Sequence, residues 1–516
     1  MVMNNSIKNS YFFNAFFWST LSKVLNAVFG FVSVPLLLGY FGKAEYGLLS
    51  IATACNGYMH LMDLGMNTGA VKFFSQWEAE GKRDLIYRVA KTNVTFYFII
   101  SIINILGLIA LAVWGESLFS VTHDQFIQLR YCFLILAIFA SISWISTVYT
   151  QLLTAFKKVA YTMQVQTVLV ILKGFLIASV FLFDLSLVSY FFYLTLIVAL
   201  AIIPQMIKCR KEGLIDSFKP AYYWGDFKVV MIFSIAIFAL SLFQVTATQS
   251  RPIILSIFAD HGAETVAEFR IVEVIPQFII MVCGSFVGIF LPKSSEMIIQ
   301  NTKQEIQAYV NRWTTLTTII ICVFSFPFIV GAKDILCAYV GEDYAYLSIW
   351  LQIWCVCLII QEHSTPAYSF ILANGKSKTL VIATAIACVL SIIINALLCQ
   401  LFSVGSAVIG YVVYLLILVF VYYLYIYKYY LDLSRIPILL AFLKPFAIGA
   451  ICCILPFAIN DMLVDVICPV NRFQYLLCFL IKVVVWIVPF FMSLIITKQF
   501  SLSMLPIRNS NKVSNK

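Results

Sequence analysis

Long apolar stretches separated by short polar segments are the main pattern of this chain. A stretch of about 20 apolar residues is long enough to cross a bilayer as an α-helix. The pattern predicts an all-α integral membrane protein with about fourteen transmembrane helices. They are expected at residues 12–40, 46–71, 93–115, 129–155, 161–183, 187–207, 229–259, 265–292, 314–331, 347–373, 379–402, 406–428, 439–460 and 474–497.

The composition supports the same class. The chain has 516 residues, of which 62% are hydrophobic and 11% are charged, whereas soluble proteins carry about 25% charged residues. The fourteen cysteines are scattered through apolar runs without CxxC pairs or histidines at metal-binding spacing, so we expect buried thiols and no metal site. The sequence has no nucleotide-binding phosphate loop, so ATP is not expected to drive a transport step directly.

The basic residues predict the orientation of the helices. Most of the 34 lysine and arginine residues fall in loops on the side of the N-terminus, which the positive-inside rule makes cytoplasmic. Only Lys43, Arg130, Lys333 and Arg472 fall in loops on the other side. Both termini are therefore predicted to be cytoplasmic, and the net charge of +10 does not indicate a nucleic-acid partner.

An internal repeat predicts two lobes. At an offset near 220 residues, the sequence VPLLLGYFG at 34–42 matches RPIILSIFA at 251–259, and YTQLLTAFK at 149–157 matches YSFILANGK at 368–376. Chance similarity of apolar helices is the alternative. Two six-helix lobes of equal orientation are typical of alternating-access transporters. The predicted organisation is a first lobe at 1–207, a linker at 208–228, a second lobe at 229–428, two peripheral helices at 429–497 and a tail at 498–516.

Charged residues within the predicted helices are candidates for a functional site, because an ionisable group at bilayer depth costs about 3 kcal/mol and normally faces a cavity or a partner. Pro252 follows one of the arginines and is predicted to break its helix. Lys482 is expected to reach the membrane surface or to pair. The candidate substrate-binding residues are Arg251, Arg270, Lys23 and Lys173.

Acidic groups in the helices are candidates for coupling transport to a proton or sodium ion. Glu362 and His363 are adjacent and are followed by Pro366, which is predicted to break the helix, and histidine titrates near neutral pH. Structural alternatives are open for these groups. Glu362 and His363 could equally be a structural pair between helices, and Asp63 could only bond backbone near Gly65. Glu273 lies three residues after Arg270 on the same helical face and could simply neutralise it. The candidates are Glu362, His363, Glu273, Glu268 and Asp63.

Two N-terminal segments carry a resemblance to a known family. They are PLLLGYFGKAEYGLLS at 35–50 and YMHLMDLGMNTGAVKFFSQ at 58–76. They resemble bacterial oligosaccharide-lipid flippases of the O-antigen and capsular type, in the multidrug/oligosaccharidyl-lipid/polysaccharide (MOP) exporter superfamily. In the family, a Gly-x-x-x-[Phe/Tyr]-Gly motif closes the first hairpin, and here it falls on Gly42, Tyr46 and Gly47. The family's Asp-Leu-Gly element in the second helix falls on Asp63, Leu64 and Gly65.

The resemblance implies two six-helix lobes in a V shape and the export of an undecaprenyl-diphosphate-linked oligosaccharide across the bacterial inner membrane. The four cations would suit such a substrate, because its diphosphate carries about two negative charges. Aromatic side chains such as Trp144, Tyr149, Trp354 and Tyr368 could stack on sugars. Besides the substrate and the bilayer, the expected partners are a polysaccharide polymerase and chain-length machinery.

Two alternatives remain. A drug or lipid-precursor exporter of the same superfamily would share the topology but would have fewer central cations and more acids. A membrane polysaccharide polymerase or glycosyltransferase normally needs a large extracytoplasmic loop, which the short outside loops here do not supply. The sequence therefore predicts a transporter and not an enzyme, with no cofactor beyond a coupling ion.

Overall fold

The computed structural model describes residues 2–214, 219–283, 294, 297–298, 301–373 and 378–499. Nearly all of these residues are helical, and no β-strand occurs among them. Within this part of the chain, eleven helices are long and apolar enough to cross a membrane. The prediction of an all-α membrane protein is confirmed.

Nineteen α-helices are numbered here in chain order. In the first half they are α1 (Val2–Met59), α2 (Met66–Ala79), α3 (Arg83–Trp114), α4 (His123–Ala155), α5 (Val159–Phe183), α6 (Leu187–Leu200), α7 (Ile202–Lys211), α8 (Trp224–Phe258) and α9 (Gly262–Cys283). In the second half they are α10 (Lys303–Val330), α11 (Ala332–Tyr339), α12 (Ser348–Glu362), α13 (Thr365–Ala373), α14 (Lys378–Phe402), α15 (Val404–Val421), α16 (Arg435–Cys452), α17 (Ile454–Ala458), α18 (Asn460–Ile467) and α19 (Arg472–Ile496).

Glycines set a kink between the first two predicted spans and a break inside the second. Gly42 has φ +79° and ψ 173°, so α1 is two helical segments joined at a kink. After α1, a 3₁₀ turn at His60–Asp63 ends at Leu64 and Gly65, both in the left-handed region. Left-handed backbone is accessible to glycine without steric cost. The predicted span at 46–71 is therefore interrupted, and its last residues belong to α2.

The first compact unit comprises Met1–Arg270 and Asn395–Ser403. Its interior is rich in aromatic side chains, including the buried Phe74, Tyr97, Trp144 and Phe227. Helix α8 packs against α1 and α2 in this unit. At one crossing, a Cβ on Gly65 would lie 2.5 Å from the Ser234 carbonyl oxygen, so the close approach requires glycine.

The second compact unit comprises Ile271–Ile394 and Val404–Lys516. Helix α10 packs against α12, α16 and α19, around buried side chains that include Trp486 and Phe326. The Lys482 ammonium donates to the Asp334 carboxylate at 2.6 Å and to the Asn460 amide oxygen at 2.7 Å. Of the two alternatives for Lys482, pairing is confirmed. The predicted lobe and linker boundaries stay a prediction.

Two prolines were predicted to break helices, with opposite outcomes. Helix α8 continues through Pro252 to Phe258, so the predicted break there is wrong. A proline removes one intrahelical hydrogen bond, which a long, packed helix can tolerate. At Pro366 the prediction is confirmed, because α12 ends at Glu362 and α13 begins at Thr365, which places the proline in the first turn of a new helix.

Candidate functional site

A cavity with mostly apolar walls and a few polar side chains lies within the first compact unit. Its volume is about 240 Å³, and its walls come from α1, the 3₁₀ turn, α3, α4, α5 and α6. Apolar walls include Phe139 and Phe191. The polar residues that line it are Thr53, Asn56, His60, Asn104, Ser143, Lys173 and Thr195. A mostly apolar cavity with a few convergent polar groups is the usual form of a small-ligand site.

Lys173 supplies the basic group of this cavity. It lies in the middle of α5, with apolar residues on both sides in sequence, and its side chain is half-buried. Among the residues that the structure describes, none forms an ion pair with its ammonium group. A charge at this depth is costly unless a partner or water compensates it. An anionic ligand that entered the cavity would therefore be attracted to the Lys173 ammonium and would compensate its charge.

Asn104 adds a hydrogen-bond donor that is not used within the protein. It lies on α3 with only 2% of its surface exposed, and its Nδ2 atom has no hydrogen-bond partner in the described part of the chain. A buried donor left without an acceptor costs about 1–3 kcal/mol. Because the side chain lines the cavity, a bound acceptor would remove that cost.

Stacked aromatic rings and a series of side-chain hydrogen bonds form one end of the cavity. The Trp144 ring stacks on Tyr97, with centroids 5.8 Å apart and planes 23° apart, and it also contacts the His60 ring at 5.2 Å. The Tyr97 hydroxyl donates to the Asp63 carboxylate and accepts from the Gln151 amide at 2.8 Å. The position of the His60–Asp63 turn is therefore coupled to the helices α3 and α4.

The four predicted cations are not brought together in this cavity. Lys173 lines it, and Arg251, Arg270 and Lys23 are not among its lining residues. Arg251 is 6% exposed in α8, Arg270 is half-buried in α9, and Lys23 is exposed on α1. Their roles stay predictions.

Most of the coupling candidates have partners in the fold. Glu268 forms an ion pair with Lys43, and the buried Glu273 accepts a hydrogen bond from Gln277 at 3.3 Å. Asp63 accepts from Tyr97 and also from the backbone N–H of Asn67 at 3.1 Å. The predicted backbone bond near Gly65 is thus present, together with a side-chain partner that the sequence did not indicate.

Glu362 and His363 are engaged within the second compact unit. The Glu362 carboxylate accepts from the Thr365 hydroxyl at 2.9 Å and from the Gln361 amide at 3.2 Å. His363 is buried, with Nε2 3.0 Å from the Tyr423 hydroxyl and its ring centroid 4.3 Å from that of Phe442. These contacts fit the structural alternative for this pair, and the role of Glu362 and His363 in ion coupling stays a prediction.

Sequence reasoning missed six polar lining residues, which are Thr53, Asn56, His60, Asn104, Ser143 and Thr195. Their signal was present, since each is a polar residue inside a predicted apolar span. Three or more His, Cys, Asp or Glu side chains arranged to hold a metal ion do not occur among the described residues.

Comparison with known protein families gives a match to this chain. The sequence profile described as "Polysaccharide biosynthesis protein" matches residues 13–298, which is more than half of the chain. No curated protein matches the sequence.

Solved structures share the fold. A lipid II flippase, MurJ, in an inward-closed conformation is 16% identical with a TM-score of 0.67, and the match covers 94% of this chain and 98% of that one. An inward-facing multidrug-resistance MATE transporter of the MOP superfamily is 12% identical with a TM-score of 0.62, covering 82% and 93%. The MATE multidrug transporter DinF-BH is 14% identical with a TM-score of 0.57, covering 80% and 95%.

Proposed function

Because the chain belongs to the family of polysaccharide biosynthesis proteins, we propose that it is a flippase for an undecaprenyl-diphosphate-linked oligosaccharide. It would move the polysaccharide repeat unit of an O-antigen or capsule from the cytoplasmic to the outer leaflet of the bacterial inner membrane, by alternating access. The fold it shares with a lipid II flippase and with multidrug transporters supports a transport role and not an enzymatic one.

The observation that carries the proposal is the Lys173 cavity. A mid-helix ammonium without a described counter-ion is costly in an apolar surrounding. It becomes favourable when an anionic group of the substrate enters, because charge attraction is strong where water is excluded. An anionic lipid-linked glycan supplies that charge, together with hydroxyl groups for the asparagine and hydroxyl side chains of the wall.

A drug exporter for cationic compounds is the second candidate. Such a substrate needs carboxylates in the cavity wall, because a buried cation must be paired. The lining residues of the Lys173 cavity include no aspartate or glutamate. This observation favours the anionic lipid over a cationic drug.

Orientation and coupling belong to the same proposal. Both termini would be cytoplasmic, as the basic loops indicate, and a polymerase with its chain-length machinery would receive the product on the outer side. A proton or sodium gradient would supply the energy. Asp63 is the coupling candidate that lies nearest in sequence to a cavity residue, His60, on the 3₁₀ turn.

A flipping assay in proteoliposomes tests the proposal. A fluorescent undecaprenyl-diphosphate oligosaccharide is placed in the inner leaflet, and its appearance in the outer leaflet is followed for the wild type and for Lys173→Met. We expect at least a tenfold lower rate for Lys173→Met, since the ammonium is replaced by an apolar chain of similar length. Arg251→Ala and Arg270→Ala test the two other predicted cations in the same assay.

Lys228→Met is the matched control. Lys228 is exposed in the first turns of α8 and lies outside the cavity, so its loss should leave the rate unchanged. If the wild type leaves the lipid in place but exports a small cationic dye, the substrate class proposed here is wrong. If Lys173→Met and Lys228→Met are equally active, the cavity is not the site.

A further inference from the structure

The Lys173 cavity has one cation among neutral hydrogen-bonding groups. Besides the ammonium, its wall offers the amides of Asn56 and Asn104, and the aromatic rings of Trp144 and Phe139. Amides bond hydroxyl groups as donors and as acceptors. Aromatic rings cover the C–H faces of a ligand. This combination fits a polyhydroxylated ring that carries one negative charge.

A site for a diphosphate would need different lining residues. It presents about two charges and many acceptor oxygens, which proteins meet with arginine forks, several cations or free backbone N–H groups at a helix N-terminus. Here Lys173 and Asn104 lie in the interior of α5 and α3, where backbone N–H groups are already used in the helix. The donors left for a ligand are therefore those of side chains, with a single charge.

The size of the cavity agrees with one sugar unit. The cavity measures about 240 Å³. Sites for drug-sized ligands are larger, at about 300–1,000 Å³. An oligosaccharide with its lipid and diphosphate would not fit, so the cavity takes one part of the substrate.

We propose that this cavity binds a single acidic sugar of the translocated glycan, with the Lys173 ammonium on its carboxylate and the unused Asn104 donor on a neighbouring oxygen. This inference rests on the proposed function and adds to it the class of sugar. The flippase would select glycans with a uronic or similar acid residue, and the diphosphate would be bound elsewhere.

Binding of matched glycosides to the full-length protein in nanodiscs tests the inference. The probes are 4-nitrophenyl β-D-glucuronide and the corresponding galacturonide. The controls are the glucoside and galactoside, which carry a neutral CH₂OH in place of the carboxylate, and inorganic pyrophosphate. Affinities are measured by ligand-observed saturation-transfer NMR with competition. We expect at least one uronide to bind tenfold or more tightly than its neutral partner.

Variants assign the binding to this cavity. Lys173→Met should abolish the preference for the uronide, Lys173→Arg should keep it, and Asn104→Ala should weaken the acidic and the neutral ligand alike. Lys228→Met should bind as the wild type does. Thermal unfolding of each variant separates a loss of binding from a loss of folding, and Lys173→Arg keeps the test decisive if Lys173→Met is unstable.

Two results would overturn the inference. One is that neither uronide shows binding that depends on Lys173. The other is that pyrophosphate displaces the uronide at a lower concentration and loses this ability in Lys173→Met, which would make the cavity a diphosphate site. In either case, flipping of a neutral lipid-linked oligosaccharide by the wild type would leave the proposed function standing.

Discussion

Lys173 and Lys482 are two lysines within membrane-spanning helices whose surroundings differ. Lys482 is 4% exposed and bonded to both Asp334 and Asn460, whereas Lys173 opens onto a cavity without a described counter-ion. In the buried pair, each charge is compensated by its partner within the protein. The ammonium of Lys173 faces a cavity, where a bound anion could compensate its charge. The sequence analysis separated the two lysines, since it expected Lys482 to reach the membrane surface or to pair and Lys173 to bind substrate, but it could not identify Asp334 and Asn460 as the partners of Lys482.

Removing one partner of the Lys482 pair should destabilise the protein more than removing both. Lys482→Met leaves the Asp334 carboxylate buried without its cation, which costs about 3–5 kcal/mol. The double variant Lys482→Met/Asp334→Leu should recover most of this loss, because no charge remains. Unfolding midpoints of the purified proteins measure both effects. Equal midpoints for the single and the double variant would show that an unpaired Asp334 carboxylate does not cost the expected free energy.

At the scale of the helices, the length of the apolar stretches predicted the helical spans well, whereas the local breaks were predicted less well. Each of the fourteen predicted spans falls on helix, although the end of the span at 265–292 lies outside the described residues. The uninterrupted helix at Pro252 and the break at Leu64 and Gly65 depend on backbone conformation and packing. A hydropathy pattern contains neither.

Gly47 makes the tightest contact of α1 with the start of α9. A Cβ at this position would lie 1.8 Å from the Ala263 carbonyl oxygen, so Gly47→Ala must separate the two backbones. We expect a loss of about 1–3 kcal/mol, seen as a lower thermal unfolding midpoint. Gly39→Ala is the control, because a Cβ there meets nothing within 4 Å. A midpoint equal to that of the control would contradict the close packing.

Glu212 joins the end of α7 to the loop between α4 and α5. Its carboxylate contacts Lys208 at 2.8 Å and Lys158 at 3.0 Å, and hydrogen bonds from Lys208 and then Lys158 lower the pKa of Glu212. A carboxyl whose folded pKa is lowered adds stability above its unfolded pKa of about 4.3 and loses it as the pH falls through the folded value.

The pH dependence of this contact is testable. Amide protection factors near Lys158 and Glu212, which correct the exchange rates for their intrinsic pH dependence, should be high at pH 7 and should fall as the pH falls below about 4. In Glu212→Gln the exchange should already be faster at pH 7 by a few-fold, because such partly exposed pairs contribute about 0.2–1 kcal/mol. An identical pH profile in Glu212→Gln would exclude this carboxylate as the cause.

For the whole molecule, the sequence predicted the all-α membrane class, carried the family resemblance and identified Lys173, the lysine of the cavity, as a candidate. It could not predict that Asn56, His60, Asn104 and Lys173 share one cavity. These residues come from separate helices, and their meeting depends on the kink at Gly42, the 3₁₀ turn and the packing of aromatic rings. Such convergence is a property of tertiary packing, which helix periodicity does not encode.

Contacts on the predicted outer side of the first compact unit bear on the alternating-access cycle proposed above. Lys43 pairs with Glu268, while the loop before α4 is bonded to the turn between α8 and α9. In that loop, Ser120 donates its N–H to the Ser256 carbonyl at 2.7 Å and accepts from the Gly262 N–H at 2.8 Å. In an alternating-access cycle, opening the cavity to the outside would strain these contacts.

Charge reversal at the Lys43 pair should therefore shift the protein towards outward access. The reporter is Thr53→Cys in the cavity wall, labelled from outside with an impermeant maleimide and quantified by peptide mass spectrometry. We expect severalfold faster labelling in Lys43→Glu, because like charges replace an ion pair, and a return towards the parent rate in Lys43→Glu/Glu268→Lys. Unchanged labelling in Lys43→Glu would mean that other contacts hold the outer side closed, since a partly exposed pair contributes only about 0.2–1 kcal/mol.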